Sequence, residues 1–197
     1  KTHSAVAQAM DDTMHAWELG VVQPLSQQWQ VYGRLGRSFR LANADEFSYT
    51  SGTPLRPQTS RDLEVGARWK NRHDHADLRL YRSSLHDEIG FDTGANGGWG
   101  ANVNFEPTRR QGVELEAGHA LTSTLDLRGT AAWREAKFVS GSYAGLDIPL
   151  VNAVSSSLGA QWQALPGHRL GAHVVYASSR HPDLANQDVA NLAGGFA

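Results

Sequence analysis

The 197-residue sequence contains no cysteine, which excludes a disulfide framework and a thiolate metal site. It also lacks any run of about 20 apolar residues, so no transmembrane helix is predicted. The formal net charge is only −2, which gives no electrostatic reason to expect nucleic-acid binding. A membrane-spanning β-strand needs only about 9–11 alternating residues, however, and is compatible with a hydrophilic average.

Apolar and polar residues alternate with a period of two along most of the chain. From Trp29 to Leu41 the odd positions are largely apolar, and only Arg37 interrupts them. A helix would scatter the intervening charges around its circumference, so the period favours β-strands. Little helix and about eight strands are therefore predicted, near residues 17–25, 29–41, 62–70, 76–81, 113–118, 125–134, 154–162 and 170–176.

The connections between these segments alternate in length. Short polar turns fall near Ser26, His73, Ser123 and Pro166, at spacings of 43 to 50 residues. Long connections rich in glycine, asparagine and aromatic residues cover residues 41–57, 87–101, 135–151 and 178 onward. Short turns at one end and long loops at the other are typical of an outer-membrane β-barrel, in which the long loops are extracellular.

The composition of the apolar row favours lipid contact over the core of a soluble β-sandwich, which would also alternate. The row contains many glycines and alanines, which fill a protein core poorly but are acceptable against lipid chains. Tryptophans lie on the same row near the strand ends, as in an aromatic girdle: Trp29, Trp69, Trp133 and Trp162. The sequence therefore predicts an all-β, antiparallel transmembrane β-barrel.

Three motifs resemble those of TonB-dependent outer-membrane receptors. Residues 55–66, LRPQTSRDLEVG, resemble that family's L-K/R-P-E-T-S-x-x-x-E-x-G stretch. Residues 36–40, GRSFR, resemble its G-x-S-F-R, and residues 109–116, RRQGVELE, resemble its R-x-x-G-x-E-x-E. The order and spacing match the second half of such a barrel, and the resemblance covers nearly the whole chain.

The resemblance implies an importer of iron chelates, cobalamin, haem or similar nutrients. Such a receptor is a barrel of about 22 strands that encloses an N-terminal plug. Its implied partners are the TonB-ExbB-ExbD complex, acting through the plug, the lipid bilayer of the bacterial outer membrane, and the metal chelate. We expect residues 1–197 to form a partial barrel domain, a fragment that lacks the plug, a segment able to pair with TonB, and the closing strands.

A ferric siderophore is the ligand that we expect from the resemblance. Haem is less favoured because residues 41–57 contain no histidine, whereas cobalamin stays open. We expect no enzymatic activity, no cofactor and no nucleic-acid partner. The alternative from another class is a small eight-stranded outer-membrane barrel acting as an adhesin or a hydrolase.

Two sets of residues are candidates for function. Charged residues on the polar face are expected to form ion pairs along the lumen wall or to contact a plug: Arg34, Glu64, Arg68, Glu114, Glu116 and Arg128. Residues in or beside the long connections are expected to contact the ligand: Arg40, Phe47, Tyr49, Trp99 and Tyr143.

Two further motifs are given structural interpretations. Residues 73–75, His-Asp-His, lie in a short turn without a third ligand nearby, so they are expected to be solvated rather than to bind a metal. The glycine-rich stretch at residues 94–100 follows no strand-to-helix pattern, and it is expected to be a loop tip rather than a phosphate-binding loop.

Overall fold

The computed structural model describes residues 13–189, so the two terminal segments lie outside the described residues. The strands and helices within this range, in chain order, are β1 (Trp17–Pro24), β2 (Trp29–Arg40), α1 (Ala44–Ser48), β3 (Gln58–Lys70), β4 (Asp74–His86), β5 (Ile89–Asp92), α2 (Ala95–Gly98), β6 (Ala101–Asn104), β7 (Thr108–Ala120), β8 (Leu125–Phe138), β9 (Val154–Leu165) and β10 (His168–Ala177). No helix in the described range is long and apolar enough to cross a membrane.

Eight of the strands form one antiparallel sheet in the order β1-β2-β3-β4-β7-β8-β9-β10. Strands β5 and β6 form a separate hairpin between β4 and β7. The predicted all-β fold and the eight predicted strands, which form the main sheet, are therefore confirmed, and the described residues contain two further strands. Within the described range β1 and β10 are unpaired at their outer edges, so these residues form an open segment of a barrel and do not close into an eight-stranded one.

The register of the sheet separates an apolar face from a polar face. Trp29 lies opposite Trp69, and Leu35 lies opposite Leu63, on the apolar face. Leu35 and Leu63 are 46% and 52% exposed, respectively, although they belong to central strands. Leaving such a face in water would cost about 25 cal/mol for each Å² of apolar surface, so the face is suited to lipid instead.

The buried core lies beneath the long connections, at one end of the sheet. Its centre consists of Ala136 and Phe138 from the end of β8, together with Ile148 and Leu184 from two connections. Phe105, Tyr143 and Val151 pack against it. The other end of the sheet carries the four short turns, as predicted, so the long connections form an ordered cap over one end only.

Several strands extend further toward this cap than the sequence pattern predicted. Strand β4 runs to His86 instead of residue 81, β7 begins at Thr108 instead of residue 113, and β8 ends at Phe138 instead of residue 134. Polar residues occupy the outward face of these extensions, while Leu85, Ala136 and Phe138 are buried on the other face, so the predicted apolar parity stops while the hydrogen-bonded ladder continues. The long connections also contain α1, α2 and the β5–β6 hairpin, which the pattern did not predict.

Candidate functional site

Ion pairs of alternating sign cross the polar face of the sheet. Arg34 lies 2.8 Å from a carboxylate oxygen of Glu18 and 3.4 Å from one of Glu64. Arg79 lies 3.7 Å from Glu64 and donates a hydrogen bond to Glu114. The series takes one residue from each of six neighbouring strands, in the order Glu18, Arg34, Glu64, Arg79, Glu114 and Arg134.

The two central carboxylates of this series are well shielded from water. The side chain of Glu64 is 16% exposed and that of Glu114 is 29% exposed, and each lies between two guanidinium groups. Shielded charges of this kind need opposite charges as neighbours. The structure therefore brings together the predicted residues Arg34, Glu64 and Glu114. Sequence reasoning missed Arg79, although its position between Leu78 and Leu80 places it on the polar face.

Arg68 belongs to a second cluster on the same face. Its Nε atom lies 2.5 Å from Asp77, which also accepts a hydrogen bond of 3.0 Å from the Tyr32 hydroxyl. The guanidinium of Arg68 lies 4.4 Å from the centre of the Tyr32 ring, at cation–π distance. The same ring covers Gly66 so closely that a Cβ atom there would overlap it. Gly66 thus provides the space in which this cluster assembles.

The remaining polar-face candidates, Glu116 and Arg128, make no ion pair with any residue in the range 13–189. Glu116 lies opposite Asp77 on β4, so the two carboxylates share one part of the face. Their contact with a plug stays a prediction.

At the capped end, Asn104 joins two long connections. Its side-chain amide donates to the Arg56 carbonyl at 2.9 Å and accepts from the Arg56 N–H at 2.7 Å. It also donates to the Asp87 carbonyl at 2.8 Å. Asn102 adds a side-chain bond to the Glu46 carbonyl at 3.1 Å. These contacts fix residues 41–57 against the β5–β6 hairpin.

Asn186 joins the other two long connections in the same manner. Its amide donates to the Asp147 carbonyl at 3.0 Å and accepts from the Asp147 N–H at 2.6 Å. Next to it, the backbone N–H groups of Asp188 and Gln187 donate to the Asp183 carboxylate and lower the pKa of Asp183. Sequence reasoning missed both asparagines, because nothing in a single sequence marks a side chain that binds a distant backbone.

Arg40 holds the first long connection to the rim of the sheet. Its guanidinium donates to both Glu46 carboxylate oxygens, at 2.8 and 2.9 Å, and to the Ile89 carbonyl at 3.2 Å. Glu46 and Asn43 form the capping box of α1. Burial alone would raise the pKa of Glu46, but hydrogen bonds from the Asn43 N–H and from Arg40 outweigh it, so the pKa lies below its usual range.

The four predicted aromatic residues occupy different environments. Tyr49 is 68% exposed and Trp99 is 88% exposed, so both are available to a ligand. Phe47 is half-buried on α1. Tyr143 packs on the buried core, with its ring centre 5.6 Å from that of Phe138. The structure therefore does not bring the four into one cluster, and their contact with a ligand stays a prediction.

The His-Asp-His segment lies at the end opposite to the cap. Asp74 contacts Nδ1 of His119 and accepts a 2.7 Å hydrogen bond from the Asn71 side chain. The ring of His75 lies over Gly118 on the opposite face of the sheet. Residues 13–189 contain no group of three or more histidine or acidic side chains arranged to hold a metal ion.

Long antiparallel strands with an apolar face, a charged face, short turns at one end and an ordered cap at the other define a segment of a transmembrane β-barrel. A family model described as TonB dependent receptor-like, beta-barrel matches residues 2–197. The chain therefore belongs to the TonB-dependent receptor family, as its motifs predicted. These receptors are β-barrels of the bacterial outer membrane, and this is the location of the chain.

Individual relatives agree with this assignment. The chain is 28% identical over 124 residues to the vitamin B12 transporter BtuB of Vibrio vulnificus, a match of 61% of this chain and 20% of the transporter. It is 26% identical over 181 residues to the probable TonB-dependent receptor BfrD of Bordetella pertussis, covering 86% of this chain and 24% of that protein. Among solved structures, the unliganded ferric citrate transporter FecA aligns with a TM-score of 0.68 and 21% identity, over 87% of this chain and 26% of FecA.

The chain thus spans about a quarter or less of the length of the curated relatives it matches. By their names, these relatives are transporters and receptors. The small independent barrel, adhesin or hydrolase, is not favoured, because the family model extends over nearly all of the chain and the sheet is open in the described range.

Proposed function

We propose that the receptor containing this chain imports a metal chelate, with a ferric siderophore as its ligand. The ligand is captured at the capped end, and the TonB-ExbB-ExbD complex then rearranges the plug to admit it. Family membership supports an uptake receptor, and the solved neighbours include a ferric citrate transporter and a ferric-catecholate import receptor.

The observation that carries the proposal is the exposure of Tyr49 and Trp99 on ordered connections. Both aromatic rings face solvent, while Asn102 and Asn104 hold their two connections together. A rigid, exposed aromatic side chain offers a large contact area to a bulky chelate and loses little conformational entropy on binding. Arg40 remains a candidate contact for an anionic chelate, because 42% of its side chain is exposed although Glu46 already holds it.

Cobalamin is the second candidate ligand. It is favoured by the similarity to a vitamin B12 transporter, which extends over 124 residues of this chain.

Ligand titrations of the full-length receptor test the proposal. Purified receptor is titrated separately with a ferric catecholate siderophore, ferric citrate, cyanocobalamin and haem, and binding is measured by calorimetry. We expect a ferric chelate to bind most tightly, and Tyr49→Ala and Trp99→Ala each to weaken that binding by about fivefold or more. Trp162→Ala, which removes a half-exposed tryptophan far from the cap, is the matched control and should leave affinity unchanged.

The titrations separate the alternatives. Tight binding of cyanocobalamin without binding of ferric chelates would show that the ligand is cobalamin and not a siderophore. Unchanged affinity in both aromatic variants would show that these two side chains do not contact the ligand.

A further inference from the structure

Three arginines cluster on the apolar face of the sheet, near its capped end. Arg37 of β2 and Arg61 of β3 are directly opposite each other in the ladder. Arg82 of β4 lies opposite Leu63, two residues along β3 from Arg61, and is therefore its diagonal neighbour. All three side chains are exposed. Directly opposed residues are about 5 Å apart and diagonal ones about 7–8 Å, so three positive charges share a small patch.

No acidic side chain in the described part of the chain neutralises this patch. Within residues 13–189, none of the three arginines makes an ion pair or a side-chain hydrogen bond. Asp62 is adjacent to Arg61 in the chain but points to the polar face, where it accepts a hydrogen bond from Ser83. Like charges that are directly opposite each other destabilise the pairing of two strands. An anion from outside the sheet would relieve this repulsion.

The neighbouring strands show how the same face neutralises its charges elsewhere. Arg109 of β7 and Lys137 of β8 are also directly opposite each other on this face. Glu135 lies beside them, with its carboxylate oxygens 3.7 Å from the Arg109 guanidinium and 3.8 Å from the Lys137 amine. The patch on β2 to β4 lacks a comparable carboxylate within the described range.

The patch borders directly on the lipid-facing surface. Leu35 and Leu63 form the opposed pair next to Arg37 and Arg61 on the same two strands. Arginine at such a boundary extends its guanidinium toward the headgroup layer while its aliphatic part stays on apolar surface. The anions at that depth are the phosphate groups of lipids.

We propose that Arg37, Arg61 and Arg82 bind the phosphate of a lipid headgroup in the leaflet next to the long connections. Guanidinium groups form paired, charge-assisted hydrogen bonds with phosphate oxygens. The acyl chains of the same lipid then lie on the leucines beside the patch. This interaction is independent of the imported ligand, since it lies on the outer face of the barrel.

Native mass spectrometry of the full-length receptor tests this interaction. The receptor is titrated in detergent with dioleoyl phosphatidic acid or with dioleoyl phosphatidylcholine, whose phosphate carries a neutralising choline. We expect preferential binding of phosphatidic acid. The triple variant Arg37→Gln/Arg61→Gln/Arg82→Gln should bind it roughly a hundredfold more weakly, at about fivefold for each arginine.

A matched triple variant controls for loss of charge. Lys70→Gln/Arg72→Gln/Arg169→Gln removes three positive charges at the opposite end of the sheet and should bind phosphatidic acid like the wild type. The corresponding arginine-to-lysine triple variant of the patch keeps the charge and should retain most of the affinity. Its retention would show that the glutamine variant loses binding through charge and not through misfolding.

Three results would overturn the proposal. The first is equal binding of phosphatidic acid by the wild type and the glutamine variant. The second is equal binding of phosphatidylcholine and phosphatidic acid by the wild type. The third is displacement of phosphatidic acid by inorganic phosphate at equal concentration, which would identify the patch as a site for free anions and not for lipid.

Discussion

Replacing Arg79 by methionine tests whether the ion pairs of the polar face stabilise the sheet. The change keeps most of the side-chain volume and removes the charge between Glu64 and Glu114. Among the described residues, Glu64 then retains only Arg34, at 3.4 Å, and Glu114 retains only Arg134, at 4.0 Å. The change thus leaves two shielded carboxylates, one on each strand that flanks β4, without the cation that lies between them.

The magnitude follows from the exposure of the three side chains. Breaking a fully buried pair costs about 3–5 kcal/mol, whereas an exposed pair contributes about 0–1 kcal/mol. Arg79 is 41% exposed and its carboxylate partners are 16% and 29% exposed, so water screens the interaction only in part. We expect Arg79→Met to lower the free energy of unfolding by about 2 kcal/mol, or roughly thirtyfold in the unfolding equilibrium.

Urea unfolding of the full-length receptor in lipid vesicles, followed by tryptophan fluorescence, measures this loss. Urea is uncharged, so the salt concentration can be varied separately. The control is Arg128→Met on the same face, which loses no ion pair within residues 13–189 and should change stability by less than about 0.5 kcal/mol. The difference in unfolding free energy between the two variants should become smaller in 1 M salt, which screens the ion pairs. Equal stability of the two variants at low salt would refute the reasoning.

Three further predictions concern the cap and the polar face. Asn104→Asp replaces the amide that donates to the Arg56 and Asp87 carbonyls by a carboxylate oxygen, which cannot donate. Hydrogen exchange of residues 41–57 should then become faster by the equivalent of about 1–3 kcal/mol, and unchanged exchange would contradict the role of this amide. The lowered pKa of Glu46 means that its carboxylate stabilises α1 above the unfolded pKa, and that this contribution is lost as the pH falls through the lower folded value. The protection of residues 43–48 against hydrogen exchange, taken relative to the intrinsic rate at each pH, should therefore fall below about pH 4, and Glu46→Gln should show low protection already at neutral pH; a wild-type protection that does not change with pH would exclude this. Gly66→Ala should displace the Tyr32 ring and lower the urea midpoint by the equivalent of about 1–3 kcal/mol, whereas Gly20→Ala, whose Cβ atom would meet the Gly33 carbonyl oxygen at an ordinary 3.9 Å, should not.

The sheet could be predicted from the sequence because lipid and lumen impose opposite preferences on successive residues. This rule ends where the strands leave the lipid, which is why the pattern ended β4 and β8 too early and began β7 too late. Residues such as Arg82 and Arg109 lie on the outward face of a continuing ladder, but they carry no apolar signal. The hairpin of β5 and β6 was missed for the same reason, since it lies among polar and glycine residues.

The polar-face residues were found by parity, but their partners depend on register. Arg34 and Glu64 are directly opposite each other, so strand pairing alone brings them together. Arg79 reaches both Glu64 and Glu114 only because β4 lies between β3 and β7, which requires the hairpin between β4 and β7 to stand aside from the sheet. The order of these strands in the sheet could not be predicted from the single sequence.

The order of strands in the sheet also has a consequence for folding. Each strand of the main sheet pairs with the next strand of that sheet along the chain, and only the β5–β6 hairpin intervenes. The sheet can therefore grow by adding one short-turn hairpin after another, with little loss of loop-closure entropy at each step. The contacts of the cap join residues from separate connections, such as Asp147 and Asn186, and they can form only after these hairpins are aligned. Folding in the membrane is thus expected to start at the short turns and to end at the cap of long connections.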